Sequence, residues 1–287
     1  MTRSRLRRGT PVAGFLLVLV SARHYTSAES PTTDELLRAG RYQEAYDAAV
    51  ANGKAGPVAA LAQTARALLA ASLQSSDSYQ QWYGLRAAQP LEDKQVADSV
   101  RALARSDDRY VRSLAIEMLA TQDPVGSRDE LLAALDSPFR SVRLRALRGL
   151  TTLRDQALAE RFREILSADS DPDLRAFAAR GLAEIGGPEA TAGLYRALDD
   201  PMSAVQEEVV RALVALHDPG IADVMRRRLA DHPPELAVRV IRLAGLVPDR
   251  DLVRDIGPFL ADPNPEVRAY AAGSILSILE HTRPPKR

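Results

Sequence analysis

The chain has 287 residues, with 38 Lys+Arg against 38 Asp+Glu, no cysteine, 46% hydrophobic residues and 5% aromatic ones. That apolar share belongs to a folded globular chain, and the balanced charge gives no bulk electrostatic hold on a nucleic acid. Without cysteine, disulfide scaffolds, thiol chemistry, Cys-ligated zinc and iron–sulfur clusters are excluded.

The zero balance divides unevenly along the chain. In the first 30 residues Arg3, Arg5, Arg7, Arg8 and Arg23 stand against Glu29 alone, so this leader carries +4 and the remainder −4. A basic segment ends at Arg8, an uncharged apolar stretch runs from Pro11 to Ala22, and small-residue sites follow at Val20-Ser21-Ala22 and Thr26-Ser27-Ala28. Residues 1–28 are therefore expected to be a secretory signal peptide cut after Ala22 or Ala28. The apolar stretch is shorter than the about 20 residues needed to span a bilayer. An exported protein, periplasmic or extracellular, without stable membrane insertion after cleavage, is the expectation; an anchor formed by an uncleaved signal is the alternative.

Residues 33–90 are expected to hold about four helices that cap a longer stack. Leu37-Arg38-Ala39-Gly40-Arg41-Tyr42-Gln43-Glu44-Ala45 resembles the interhelix turn of a tetratricopeptide repeat. The alternative is a degenerate unit of the repeat that follows: Leu69, Leu73 and Ser75 keep its register, while Gln80 occupies an aliphatic position. An atypical first unit with a polar outer face is what a stack of repeats requires at its end.

From Ser106 onward one pattern recurs. A column of residues suited to helix capping reads Ser106, Ser137, Asp169, Asp200, Asp231 and Asp262, at spacings of 31, 32, 31, 31 and 31. Five positions after each stands Val111, Val142, Leu174, Val205, Leu236 or Val267. Four further on come Ala115, Ala146, Ala178, Val209, Val240 and Ala271, and then Leu119, Leu150, Leu182, Leu213, Ala244 and Ile275. Ser and Asp accept hydrogen bonds from free N–H groups at a helix start, and Pro138, Pro201 and Pro263 just after them suit a first helical turn. Residues four apart share one helix face. A second set of columns precedes each cap, from Val100 and Ala104 through Leu131 and Leu135 to Ile256 and Leu260. Each unit is thus two antiparallel amphipathic helices that cannot bury their apolar faces alone. The predicted fold is all-α, a right-handed α-solenoid of stacked antiparallel helix pairs with a period of ~31 residues. The tail over 282–287, with Pro284-Pro285-Lys286-Arg287, is expected to be disordered.

The segments Asp-Ser-Pro-Phe-Arg-Ser-Val-Arg (136–143) and Asp-Pro-Asn-Pro-Glu-Val-Arg (262–268) resemble HEAT repeats, in the short HEAT-like form named after phycobilisome lyases. The resemblance covers about 91–281. It implies that the helix after each cap lines the concave face, and that Asp and Arg form a ladder between repeats. Here the ladder residues are Asp169, Arg175, Asp262 and Arg268, with the arginine column of Arg112, Arg143, Arg175 and Arg268 broken by Gln206 and Ala237.

No catalytic or metal site emerges, and no cofactor is expected. His24, His217, His232 and His281 fall at unrelated phases of the repeat, without the i, i+4 spacing of a helical metal site. Deoxyhypusine hydroxylases, also built of HEAT-type repeats, carry His-Glu pairs; this chain has no His-Glu dipeptide. Lys54, Lys94 and Lys286 are its only lysines. Arginines cluster at Arg140, Arg143, Arg145, Arg148 and Arg154, and at Arg226-Arg227-Arg228, with Glu160, Glu164, Glu184, Glu207 and Glu208 on neighbouring units to balance them. Tyr79, Trp82 and Tyr83, with Tyr110 one repeat later, form an aromatic group; the i, i+3 spacing of Tyr79 and Trp82 favours core, and an interface is the alternative. The expected function is an exported, non-enzymatic HEAT-repeat scaffold that binds another protein along its concave surface. Arg140, Arg145, Arg148, Tyr79, Trp82 and Tyr83 are the candidate contact residues. The alternatives are an accessory or catalytic subunit of lyase type, or a polyanion or nucleic-acid binder acting through the arginine-rich helices.

Overall fold

The computed structural model describes residues 31–51, 57–91 and 94–283. The expected signal peptide lies outside them, as do residues 284–287 of the expected tail. The chain divides into two compact units, Met1–Ala65 and Arg66–Arg287.

The first unit holds α1 (Thr33–Arg38), α2 (Tyr42–Ala51) and the start of α3 (Pro57–Leu73). A reciprocal cap starts α1: the Thr32 hydroxyl accepts from the Glu35 N–H, and the Glu35 carboxylate accepts from the Thr32 N–H. Gly40, at φ +72°, turns the chain between α1 and α2 in a conformation that side chains rarely adopt. Leu36 and Ala45 are buried on either side of that turn.

In the second unit, α4 (Ser78–Ala88) is followed by six helix pairs. They are α5 (Lys94–Leu103) with α6 (Arg109–Gln122), α7 (Arg128–Ala134) with α8 (Arg140–Thr151), and α9 (Ala159–Ala168) with α10 (Pro172–Ile185). Then come α11 (Gly187–Arg196) with α12 (Ser203–Ala215), α13 (Gly220–Asp231) with α14 (Ala237–Ala244), and α15 (Leu252–Ile256) with α16 (Pro265–His281). No described residue lies in a strand. Each pair packs back to back, and the second helices α4, α6, α8, α10, α12, α14 and α16 lie side by side as one face. One apolar core runs unbroken from Leu73 to Ile278.

The predicted aliphatic columns form that core. Val111, Ala115, Val142, Ala146, Leu150, Leu174, Ala178, Leu182, Val205, Val209 and Leu213 are all buried. Leu236 and Ile275 are partly buried against it, and Leu260 is 46% exposed. After Ile256 the chain continues as a 3-10 helix over Gly257–Ala261; three residues per turn instead of 3.6 rotate Leu260 off the face that the α-helical spacing assigned to it.

The capping column is corrected by two positions. Ser106, Ser137, Asp169, Asp200 and Asp262 do not cap the helices; each side chain accepts from the N–H two residues on, at 2.8–3.2 Å, and shapes the turn before the helix. The N-cap itself is the residue two positions later. Asp108, Asp171 and Asn264 there accept from helix N–H groups at 2.8–2.9 Å, and one period earlier Ser75 and Asp77 repeat both bonds at 3.1 and 2.9 Å. Pro138, Pro201 and Pro263 accordingly sit in the turn, where their fixed φ suits its first corner, and the first-turn prolines are Pro172 and Pro265. Asp231 breaks the column for a covalent reason: the residue two positions on is Pro233, which has no N–H. Asp231 remains in α13, and the next helix begins as a 3-10 turn at Pro234–Leu236.

At the other end, Thr282 belongs to the fold and not to the expected tail. Its hydroxyl donates to the Ile278 carbonyl at 2.7 Å and accepts from Arg250 Nε at 3.1 Å, which ties the end of α16 to the turn before α15.

Candidate binding surface

Two rows of polar contacts hold the repeats in register and so position the surface. The first lies at the turn before each second helix. The side chain six positions after the turn residue donates back to that residue's carbonyl: Arg143 to Ser137 at 3.1 Å, and Arg175 to Asp169, Gln206 to Asp200 and Arg268 to Asp262 each at 2.8 Å. Gln206 therefore does not interrupt this row, because its amide supplies the same N–H donor, and Gln81 does so for Ser75 at 2.6 Å. Between repeats, Arg143 Nε stands 3.6 Å from Asp169 Oδ2. Arg175 grips Asp200 with two hydrogen bonds, Nε to Oδ2 at 2.7 Å and Nη2 to Oδ1 at 3.0 Å. Burial works to raise the Asp200 carboxyl, but the Arg175 guanidinium and the Met202 N–H outweigh it and hold it below its ordinary value. Asp262 stands at the place where residue 237 would supply its arginine, and that residue is alanine; Arg268 bonds the Asp262 and Pro263 carbonyls.

The second row links the first helices and is not among the columns read from the sequence. From α5, Arg101 reaches Asp123 at 3.1 Å, ahead of α7; from α7, Arg128 reaches Asp155 at 3.1 Å, ahead of α9. Arg163 on α9 pairs with Glu189 in α11, Tyr195 on α11 donates its hydroxyl to Asp218 ahead of α13, and Arg226 on α13 reaches Asp249 at 3.3 Å, ahead of α15. Burial, then the Asp218 carboxylate, push the Tyr195 phenol up. The signal was present: Arg101, Arg163, Tyr195 and Arg226 all stand five or six residues before a turn-column residue. Leu132 interrupts that spacing, and Arg128, one helical turn earlier, takes over its task.

The candidate contact residues divide on this framework. Tyr79 is 77% exposed, Tyr83 64% and Tyr110 60%; only Trp82 is partly buried against the core. The core reading of this aromatic group is thus corrected. In α4 the inward positions are held by Gly84, Leu85 and Ala88, so Tyr79 and Tyr83 are left facing outward. Trp82 and Tyr83 meet edge-on with ring centres 5.3 Å apart. Between α4, α6 and α8 a groove of about 680 Å³ opens, floored by Leu114 and Phe139 and walled by Trp82, Tyr110, Arg86, Arg109, Arg140 and Arg145. A second hollow of about 370 Å³, between Tyr79, Trp82, Tyr83 and Tyr110, adjoins it through two shared aromatics.

Arg140 and Arg145 line this groove, and Arg148 does not. Arg140 is paired with Asp171 and Asp173 of the next repeat, and Arg145 with Glu117 of the preceding one at 3.0 Å. Burial raises the Asp171 carboxyl, yet the Asp173 N–H and Arg140 prevail and hold it down. Arg86 and Arg109, neither singled out in the sequence, have no carboxylate partner among the described residues. Arg86 lies over the Trp82 ring at 5.7 Å, and Arg109 over Tyr110 at 4.4 Å. Of the five glutamates expected to balance the arginine clusters, only Glu184 does so, with Arg154. Glu160 pairs with Arg163, Glu164 with Arg161, Glu207 with Arg242, and Glu208 with Arg180 and Arg211, all outside the clusters, while Arg226 and Arg228 meet Asp249 and Asp199. His232 and His281 each meet a backbone carbonyl, at 2.9 and 2.7 Å, and His217 sits in a turn at φ +53°; His24 lies outside the described residues.

Stacked helix pairs joined by ladders of this kind define an all-α solenoid of the armadillo and HEAT type. Residues 128–213 and 159–237 match the family model for HEAT repeats, and the chain is a HEAT-like repeat protein. Its fold is similar to the X-ray structure of YibA from Escherichia coli, at 15% identity over 88% of this chain and 99% of that one, TM-score 0.51. It is also similar to the CpcE–CpcF complex of phycocyanin lyase from a Nostoc species, at 16% identity over 92% and 98%, TM-score 0.45. The archaeal HEAT-like repeats protein of Thermococcus onnurineus aligns at 17% identity over 75% and 97%, TM-score 0.42. No curated protein matches the chain in sequence.

Proposed function

We propose that this chain is an exported, non-enzymatic scaffold whose second-helix face, the concave side in the HEAT resemblance, binds another protein. One observation carries the reading: Tyr79, Tyr83 and Tyr110 stand mostly exposed on a single face, beside arginines. Tyrosine, tryptophan and arginine are enriched at interface hot spots, and the two aromatics give large contact areas with few rotatable bonds. Leaving three such side chains in water gives the fold no core to offset it. The non-enzymatic part rests on the three described histidines: His217 and His232, at opposite ends of α13, and His281, at the end of α16, are occupied with a turn and with backbone carbonyls. The export part rests on the basic, apolar and small-residue succession of residues 1–28.

Crosslinking of the full chain in its own cells, followed by mass spectrometry, tests the binding. The expected result is one reproducible protein partner joined through residues of α4 to α16 on the second-helix face. A nucleic acid or small molecule recovered in place of any protein overturns the proposal. N-terminal sequencing of the native protein should give Arg23 or Glu29 as the first residue; Met1 or Thr2 overturns cleavage.

A further inference from the structure

We infer that the groove between α4, α6 and α8 is a docking site for a short acidic peptide segment of the partner, one that also carries an aromatic or large apolar side chain. This rests on the scaffold reading above and gives its partner a chemistry. Four arginines line the groove against one glutamate, Glu117. Two of the four, Arg140 and Arg145, are already held by carboxylates of neighbouring repeats. Arg86 is held only by the face of Trp82, and Arg109 by the face of Tyr110 together with a hydrogen bond from its Nη2 to the Tyr110 hydroxyl; neither meets a carboxylate among the described residues. A guanidinium has five N–H donors, so stacking on a ring leaves Arg86 its whole N–H edge and leaves Arg109 the donors not turned to Tyr110, enough for each to grip a carboxylate. The adjoining hollow between Tyr79, Trp82 and Tyr83 is built of aromatic faces, which suits an apolar side chain two or three residues along the same segment.

The charge pattern elsewhere on this face favours a peptide over a nucleic acid. Beyond α8, Arg180, Arg211 and Arg242 on the second helices share Glu207 and Glu208: Arg180 with Glu208, Arg211 with both, and Arg242 with Glu207. The hollow at the far end, about 410 Å³ between Arg242 and Tyr270, holds one arginine and one glutamate. A nucleic-acid strand needs a continuing row of uncompensated charge to neutralise successive phosphates, whereas here Glu207 and Glu208 interrupt the arginines beyond the groove.

The test is selection of a random dodecapeptide phage library on the full chain, followed by binding of the selected peptides in solution. Enriched peptides are expected to carry Asp or Glu beside Phe, Tyr, Trp or Leu. They should lose about tenfold or more in affinity on Arg86→Glu with Arg109→Glu, and separately on Tyr79→Ala with Tyr83→Ala. All four side chains are exposed or half-buried, and a circular dichroism spectrum unchanged from wild type confirms the fold; Arg86→Gln with Arg109→Gln provides a second, milder pair. Enrichment of neutral or basic peptides overturns the inference, as does binding indifferent to both variant pairs. If selected peptides bind instead at the Arg242–Tyr270 hollow, judged by Tyr270→Ala, this inference fails and the scaffold reading stands. If no peptide is enriched the inference fails, and if crosslinking then also returns no protein, both fail. Binding of a twenty-residue oligothymidylate as tightly as the peptides, with a steep salt dependence, replaces the peptide with a polyanion.

Discussion

Arg175 and Asp200 meet across two successive repeats in a two-pronged ion pair, at 2.7 and 3.0 Å, with their side chains only 10% and 6% exposed. The same guanidinium also donates to the Asp169 carbonyl at 2.8 Å, so one side chain closes its own turn and clasps the next. A buried ion pair costs desolvation roughly equal to what it returns, so its contribution here is chiefly to fix the rotation of α10 against the turn that precedes α12.

Loss of either partner leaves the other buried and unpaired. Arg175→Ala and Asp200→Ala are each expected to destabilise the second unit by about 3–5 kcal/mol. The double variant should lose less than the sum of the two, by about 0.5–3 kcal/mol. Urea unfolding followed by circular dichroism checks both; strict additivity would show that the two side chains act independently.

The same pair sets a pH dependence. The Asp200 carboxyl is held below its ordinary value in the folded protein, while in the unfolded chain it titrates near the ordinary ~3.9. A depressed carboxyl contributes stability that is fully present above the unfolded value and is lost as pH falls through the folded one. The stability gap between wild type and Asp200→Asn should therefore stay level between about pH 7 and 5 and close below about pH 4. A gap that widens on acidification would reverse the assignment.

Gly181 lets α10 approach α9. A Cβ at that position would lie 2.0 Å from Phe162 Cε1, and Phe162 is fully buried. Gly181→Ala should cost about 1–3 kcal/mol through overpacking, even though alanine is the better helix former. Thermal unfolding checks this, and adding Phe162→Leu should recover part of the loss by making room.

Tyr195 stands in the ladder of the first helices where neighbouring repeats use arginine. Tyr195→Phe removes a hydrogen bond to the charged Asp218, whose carboxylate still accepts from the Gly220 N–H at 2.9 Å. The expected cost is about 1.5–3 kcal/mol, read by urea unfolding. Spectrophotometric titration should show one tyrosine fewer that resists ionisation above the ordinary phenol range. No change in either measurement would remove this bond from the ladder.

Several of these features were legible in the residues alone. The helix pairs and their apolar columns were, because positions four apart share a face and the same residue types return every ~31 positions. The column of Ser and Asp was legible, but the helix caps stand two positions after it: Ser and Asp serve equally as helix caps and as turn formers, and only the N–H they meet tells the two apart. Gln206 looked like a gap in an arginine column, because residue identity was matched where the shared property is an N–H donor six positions after a carbonyl. Tyr79 and Trp82 pointed to core by their spacing, but which face of α4 turns inward depends on α3 and α6, not on α4.

By itself the sequence determined the period, the helix pairs and the columns that fill the core, since each of these is a local signal repeated down the chain. The tertiary structure decided which exposed residues share a site. Arg86, Tyr110 and Arg140 belong to three successive repeats, and only the stacking of α4, α6 and α8 brings them around one groove. Their neighbours across the stack also decide what each arginine meets: Arg180 and Arg242 reach Glu208 and Glu207, while Arg86 and Arg109 meet aromatic faces. The repeat spacing alone carries no information on such pairing, because charge compensation depends on side chains about 30 residues apart in the chain that stacking places within a few ångströms of each other.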